Sequence, residues 1–463
     1  MSADWDLAVI GAGPAGMSAA MAAARLGLKV GLLDEQPRPG GQIYRNPAQP
    51  TPEVLEALGE DYAHGMELIE KFHAADIDYR PGATVWDVMA GGEIAFLRDG
   101  GSEDLRARHV LLATGAIERP VPVPGWTLPG VMTVGAAQIL LKTGGYVPDQ
   151  PAVLVGGGPL LYLVAWQYLK AGAQIGAILE TVPRANLWSA LPHAPGMLSQ
   201  GRLLAKGRRW LRDLRSARVR RIRGVTDVRI EGEGGAEAVT FQKGGRRQTI
   251  QTPLVLLHEG VIPNTHISLA LGLEHGWNNI QQWWQPRLDE WGRADKPGFS
   301  VAGDGAGIWG AEAAEHLGLL AAHGAAMALG RAGLDQAGVA EARGALKSVA
   351  GARAFLDRLY RPARSQRVPA ADDTIACRCE EVTAGQIRQA ARLGALGLTQ
   401  AKAYTRCGMG PCQGRLCAPT VSALIAETRG LDDAEVPAYR PRPPFKPVTL
   451  GALASPAFRA KAE

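Results

Sequence analysis

The chain has 463 residues, 46% of them hydrophobic and 21% charged, with 50 Lys and Arg against 45 Asp and Glu. This is globular composition, and the length suits about three domains at roughly 150 residues each. A net charge of +5 is too small to argue for a nucleic-acid partner, and no apolar run reaches the ~18 residues of a transmembrane segment.

The chain enters its first strand within a few residues, which leaves no room for a signal peptide. A cytoplasmic location is expected, with peripheral contact at the inner face of a membrane left open. All five cysteines lie between Cys377 and Cys417. That distribution excludes a disulfide framework and points to a local metal site in a reducing compartment.

Leu7–Ile10 reads as a strand buried on both faces of a parallel sheet. Gly11, Gly13 and Gly16 follow in G-x-G-x-x-G spacing. Gly11 permits the tight turn, Gly13 lets backbone approach a pyrophosphate, and Gly16 lets the next helix pack close to the strand. That helix spans roughly Pro14–Leu26, and its N-terminus, with Pro14 and Ala15, offers free N–H groups to phosphate. Leu28–Leu33 is the second strand. Asp34 ends it, eighteen residues after Gly16, where an acid binds an adenosine ribose. Alternation along the strand favours Asp34 over its neighbour Glu35 for that role. A plain Gly-rich turn would not explain the acid.

Pro37, Pro39 and the Gly40–Gly41 pair, with Gln42 next, form an irregular loop that backbone brings near a ligand. The loop resembles the one after the second strand in flavoproteins of the glutathione reductase type. It lacks their cysteine pair, which excludes dithiol chemistry here. A helix is expected from about Pro52 to Ala75, then short strands at Thr84–Val88 and Ile94–Leu97. Val110–Gly115 is a strand ending in Thr114–Gly115, similar to the A-T-G strand end of two-dinucleotide flavoproteins. The Pro- and Gly-rich stretch Arg119–Pro129 reads as a crossover.

A second βαβ unit has its strand at Val153–Val155, the turn Gly156–Gly158, a helix over Pro159–Ala171 and a strand over Gln174–Leu179, ending at Glu180. Leu161 replaces the third glycine, and a side chain of that size should push the helix from the strand or press on the ligand. A nucleotide fold is expected, without catalytic NAD(P)H binding. If occupied, Glu180 would repel a 2′-phosphate and favour NAD or ATP.

Between Arg202 and Arg223 lie ten Lys or Arg and one Asp. The run reads as a solvated helix face plus exposed strand, with Leu203, Leu204, Trp210, Leu211 and Leu214 as an inward stripe. The sharper alternative is a surface for an anionic partner or lipid. Strands are expected at Val225–Ile230, Ala238–Phe241 and Leu254–Leu257. Trp277, Trp283, Trp284 and Trp291 read as core or subunit contact. Phe299–Gly307 resembles the late G-D motif of two-dinucleotide flavoproteins. That likeness implies a flavin-binding Gly303–Asp304 and a helix over about Ile308–Leu329. The plainer role for Asp304 is a helix N-cap.

The expected organisation is a discontinuous first nucleotide domain (1–118 and 295–350), a second inserted within it (119–294), a linker (351–371), a cysteine domain (372–430) and a Pro-rich tail (431–463). The cysteine domain opens with Cys377-x-Cys379. Thr383 and Gln386 form a capping box for a helix to about Leu393, Thr399 is a candidate cap for a second helix, and Pro419 suits the start of a last one. Cys407, Cys412 and Cys417 complete the set. Thiolates suit zinc or an iron–sulfur centre, and the C-x-C opening departs from zinc knuckles. The C-x-C, thirty-two residues, C-x4-C arrangement is similar to the bacterioferritin-associated ferredoxin (BFD) type. It implies a [2Fe–2S] cluster on Cys377, Cys379, Cys412 and Cys417, with Cys407 supernumerary.

Taken with the flavin motifs, GDGAGIWGAEAAEHLG and CRCEEVTAGQI…TRCGMGPCQGRLC resemble one family closely. It holds the larger subunits of bacterial heteromeric flavin dehydrogenases: opine oxidase A subunits, hydrogen cyanide synthase B subunits and dye-linked proline or hydroxyproline dehydrogenase alpha subunits. The resemblance implies an α/β, glutathione-reductase-like flavoprotein with a small helical BFD-like [2Fe–2S] domain. The binding set for FAD is then Gly11, Gly13, Pro14, Ala15 and Gly16; Asp34 and Glu35; Gly41 and Gln42; Thr114 and Gly115; Gly303 and Asp304. It also implies FMN at an interface between subunits, ATP or NAD in the second domain, a partner flavoprotein of the D-amino-acid-oxidase type and a small iron–sulfur protein as a third component. The expected role is electron relay in an amino-acid or opine dehydrogenase. The rivals are a self-sufficient NAD(P)H-dependent flavin–iron–sulfur reductase and an iron-sensing or assembly protein. No catalytic proton-transfer residue is assigned.

Overall fold

The computed structural model describes residues 3–45, 52–331, 333 and 335–454. The N-terminal strands are β1 (Trp5–Ile10), β2 (Val30–Asp34), β3 (Asp78–Pro81), β4 (Thr84–Val88), β5 (Glu93–Arg98) and β6 (Gly101–Leu112). They form a sheet of order β3-β2-β1-β6-β5-β4. Its central strands are parallel, and β1 aligns Val9 with Leu32 on one side and Leu111 on the other. All three side chains are fully buried. Phe299–Val301 returns from far along the chain to pair with β6 in parallel, so this sheet is closed by residues on both sides of the second nucleotide unit. The first helix, Pro14–Arg25, packs its alanines against Ala321, Ala322, Ala325 and Ala326 of the helix Ala311–Ala328. Small side chains let the two backbones approach, and Gly318 meets the Ala15 carbonyl directly.

The second unit has the strand order Arg221–Arg223, Ile175–Glu180, Ala152–Gly156, Val255–His258, Val131–Thr133. All neighbours are parallel. A three-stranded antiparallel sheet (Thr226–Glu231, Ala238–Lys243, Arg246–Gln251) is appended to it.

Three local readings need adjustment. The helix expected over 52–75 is two helices, Pro52–Leu58 and Glu60–His73, because Gly59 takes φ +85° between them. The strand expected at 110–115 begins at Gly101, after a tight turn in which Asp99 and Gly100 both have positive φ. The helix placed from Ile308 starts at Ala311, since Gly310 at φ +95° stands at its N-cap.

The cysteine domain uses the helices Ala384–Arg392, Leu398–Thr405 and Ala418–Arg429. Thr383 and Gln386 form the reciprocal capping box, Gly397 rather than Thr399 precedes the second helix, and Pro419 lies in the first turn of the third. Its core takes in Trp283, with Trp277 and Trp284 packed beside it. These tryptophans form the hairpin His275–Asn278/Trp283–Pro286, so the Trp-rich stretch is a seam between units of one chain. The helix Gln336–Leu359 crosses residue 350, where the linker was placed. The tail also lies on this chain: Val436 and Tyr439 are buried in the cysteine domain, and Phe445 is buried among Ile10, Leu33 and Val85 of the first sheet. Among the described residues, no helix is long and apolar enough to cross a membrane.

Candidate active site and cysteine centre

A cavity of about 860 Å³ runs between the first glycine turn and the second. Gly11, Gly13, Pro14 and Ala15 line one end of it. Gly16 does not reach it. A Cβ there would sit 1.8 Å from the Gly11 carbonyl oxygen, so its part is close helix–strand packing. Gly13 precedes the helix with no side-chain cap, leaving amides available to an anion. Gly41 faces Gly13 so closely that a Cβ on it would lie 2.8 Å from the Gly13 Cα, and its φ is +60°. Gly41 and Gln42 both line the cavity.

Asp34 and Glu35 also border this end. The Asp34 carboxylate accepts from the Ala12 amide at 2.5 Å and the Gln36 amide at 2.7 Å. Burial raises its pKa, and those two amides oppose the rise. Glu35 pairs with Lys446 Nζ at 2.8 Å, a contact no local sequence signal predicts. Thr114 and Gly115 line the cavity; the Thr114 hydroxyl donates to the Asn264 carbonyl, whose amide N–H donates back to Gly115 O. Gly303, at φ +67°, rests against Ala15. Asp304 borders the cavity while its Oδ1 accepts from the Trp309 and Gly310 amides, so it also orders the turn before the helix.

The other end holds groups that the sequence did not mark. His258 Nδ1 lies 2.5 Å from Glu118 Oε1, and Glu118 Oε2 accepts from the Gly135 amide. Glu259, wholly buried, accepts from the Thr181 hydroxyl at 2.5 Å. Burial pushes its pKa up to about 7. At the second turn, Leu161 is fully buried in the apolar cluster with Leu154 and Val164, so it is absorbed as core and does not press on a ligand. Val182 and Tyr360 stand against Gly157. Glu180 is paired with Arg221 at 2.7 Å and Arg223 at 3.5 Å. Its charge is therefore compensated, and the expected repulsion of a 2′-phosphate does not follow.

The five cysteines converge. The sulfurs of Cys377, Cys407 and Cys417 lie within 4.8 Å of one another, with Cys407 Sγ 3.8 Å from Cys417 Sγ. Cys412 lies near both Cys379 and Cys417, and its titration is tied to theirs. The Cys407 thiol lowers the pKa of Cys377 to about 2, helped by Cys417 and by the Gly408 and Glu380 amides. Cys417, with the Leu416 and Gly414 amides, holds Cys412 at about 5. Cys407 and Cys417 are raised in return. Clustered thiols, with backbone N–H groups aimed at sulfur, are a donor set that fits an iron–sulfur centre. Cys407, the thiol set aside in the sequence reading, sits inside this group and is fully buried.

Cavity and cysteines meet at Arg415. It lies between Cys412 and Cys417, lines the cavity, and donates to the Phe445 carbonyl at 2.6 Å. Gln413 donates to the Pro444 carbonyl at 2.5 Å. The tail thus ties the cysteine loop to the first sheet.

Two glycine turns, each following a parallel strand of its own sheet, with a cysteine-rich helical unit attached, define a two-dinucleotide oxidoreductase. Residues 5–344 match the family model of pyridine nucleotide-disulphide oxidoreductases, and 375–457 match the sarcosine oxidase A3 domain. Within that class, the chain belongs to the family of opine oxidase A subunits. It is 45% identical to the opine oxidase A chain of Agrobacterium tumefaciens (strain Ach5), over 97% of this chain and 91% of that one. It is 32% identical to hydrogen cyanide synthase subunit HcnB of Pseudomonas aeruginosa, covering 96% and 97%. The crystal structure of L-proline dehydrogenase from P. horikoshii shares the fold, with a TM-score of 0.74 at 20% identity over 97% of this chain and 79% of that chain. Membership of the wider family implies FAD, and the opine oxidase and hydrogen cyanide synthase relatives are named as subunits of larger enzymes.

Proposed function

We propose that this chain is the electron-transfer subunit of a heteromeric enzyme that oxidises an opine or another amino acid at a C–N bond. The observation that carries the reading is Arg415, which belongs to the cysteine loop and to the wall of the nucleotide cavity at once. A redox site at each end of that contact is what a relay needs. FAD and a [2Fe–2S] centre, when bound, supply two-electron and one-electron chemistry respectively. The chain's own residues bind and orient. The glycine turn and the helix N-terminus would receive pyrophosphate, and Asp34 and Glu35, which border the same end of the cavity, would bind the ribose. Asp304 orders the turn before the helix Ala311–Ala328, and Cys377, Cys379, Cys412 and Cys417 would hold the cluster.

The amine-oxidising step is assigned to a partner flavoprotein of the D-amino-acid-oxidase type. A small iron–sulfur protein, FMN between subunits, and ATP or NAD at the second turn complete the assembly that the family resemblance implies. The assembly works in the cytoplasm. Tyr360 and Val182 at the second turn speak against rapid hydride delivery from NAD(P)H there.

The test is to express the chain alone and with its native neighbour genes. Opines, glycine, proline and hydroxyproline are then offered with an artificial dye. Amine-dependent dye reduction is expected only from the complex. Full activity of the isolated chain overturns the relay role. Flavin bleaching by NADH at tens per second, an ordinary turnover, supports a self-sufficient reductase instead.

A further inference from the structure

Residues 185–198 form a broken helical segment, Ala185–Ala190, Leu191–His193 and Ala194–Leu198. One side is clamped to the helix Gln336–Leu359 and the residues after it. Asn186 donates to the Leu359 and Arg361 carbonyls. Gly196 crosses Gly351 so closely that a Cβ on Gly196 would meet its backbone at 2.6 Å. Ala190 and Met197 are buried on this side, and Gln200 fastens the end to Ser348. The other side points outward, and it is apolar. Leu187 is 52% exposed, Trp188 75%, Leu191 52% and Leu198 67%. Leu187, Trp188 and Leu191 share one helical face, and Leu198 follows beyond the break. A clamped backbone therefore presents four large apolar side chains to water, which a soluble surface rarely does without a partner.

The charge around the stripe is one-sided. Residues 181–212 contain six Lys or Arg and no Asp or Glu. The excess continues to Arg223: residues 181–223 contain eleven Lys or Arg and one Asp. The helix Gly201–Ser216 follows directly, with Leu214 buried and Trp210 facing Trp166, and it exposes Arg202, Arg208, Arg209 and Arg212.

We propose that this surface docks on an anionic lipid leaflet. Trp188 and the leucines would enter the headgroup–acyl boundary while the arginines meet lipid phosphates. An exposed tryptophan suits that depth, having an apolar body and a polar edge. The strongly cationic field, in which Asp213 pairs with Arg212 at 3.2 Å, supplies complementarity to negative headgroups, and the clamp against Gly351 holds the stripe ready without an ordering cost.

The experiment is vesicle flotation of the complete complex, using phosphatidylcholine alone or mixed with phosphatidylglycerol. Binding only to the mixed vesicles, released by high salt, is expected. W188S/L191S/L198S should abolish flotation. R202S/R208S/R212S should weaken it about 100-fold, since one cation near the surface is worth about five-fold. Iron content and far-UV circular dichroism, unchanged in both variants, separate docking from misfolding. Failure of the wild-type complex to float, or equal flotation of the variants, overturns the proposal. So does loss of the partner flavoprotein from W188S/L191S/L198S on a sizing column, which would make the stripe an interface between subunits.

Discussion

Cys407→Ala should keep the cluster, whereas Cys412→Ala and Cys417→Ala should lose it. The structure makes this a demanding test, because Cys407 Sγ is 3.8 Å from Cys417 Sγ and belongs to the tight sulfur trio. Four thiolates suffice for a [2Fe–2S] centre. Cys379 and Cys412 lie near each other, and Cys377 and Cys417 complete the assigned set. Removing the buried Cys407 sulfur deletes about one methylene equivalent of packing, a cost of about 1 kcal/mol. Removing a ligand instead withdraws metal-binding energy from the fold of the cysteine unit, which is a much larger loss. Iron analysis with visible absorbance on anaerobically purified protein distinguishes the cases. Two irons per chain in Cys407→Ala and few in Cys412→Ala are expected. Iron lost from Cys407→Ala and kept in Cys412→Ala would refute the assignment and move the ligand to Cys407.

Gly41→Val should lower bound flavin roughly tenfold through backbone strain and contact with Gly13, read as flavin per chain after purification. Phe445→Ala should cost about 3–5 kcal/mol, since the ring is buried in the first sheet's core; denaturant titration measures it, and an unchanged midpoint would mean that the tail is not anchored there. Glu259 gives a pH dependence. Its folded pKa is raised from 4.5 to about 7 by burial, so the folded state binds more protons than the unfolded state between those values. Stability therefore falls as pH rises from about 4.5 through about 7, by up to about 3 kcal/mol. Glu259→Gln should flatten that slope in melts recorded across the range; a slope unchanged by the substitution would place the titration elsewhere.

Several features were legible because their causes are local. The first glycine turn forms where Gly11 and Gly13 stand, and Gly16 touches the Gly11 carbonyl. The capping box at Thr383 and Gln386 needs only residues three apart. Clustering of the cysteines in 41 residues announced their centre. Two further breaks also have local causes. Gly59 splits a helix, and Asp99–Gly100 turns a hairpin, through positive φ.

The sequence by itself determined the class of fold, the glycine turns and the thiol chemistry, because each depends on residues that are neighbours along the chain. Tertiary structure decided how charges and sulfurs are partnered. Glu35 meets Lys446, Glu118 meets His258, Glu180 is neutralised from the next strand by Arg221, and Cys407 enters the sulfur group. Leu161, apparently obstructive by spacing, became core once its helix packed. Such pairings join segments whose closure is governed by packing of the whole domain, and they leave no periodic trace in the residues that make them.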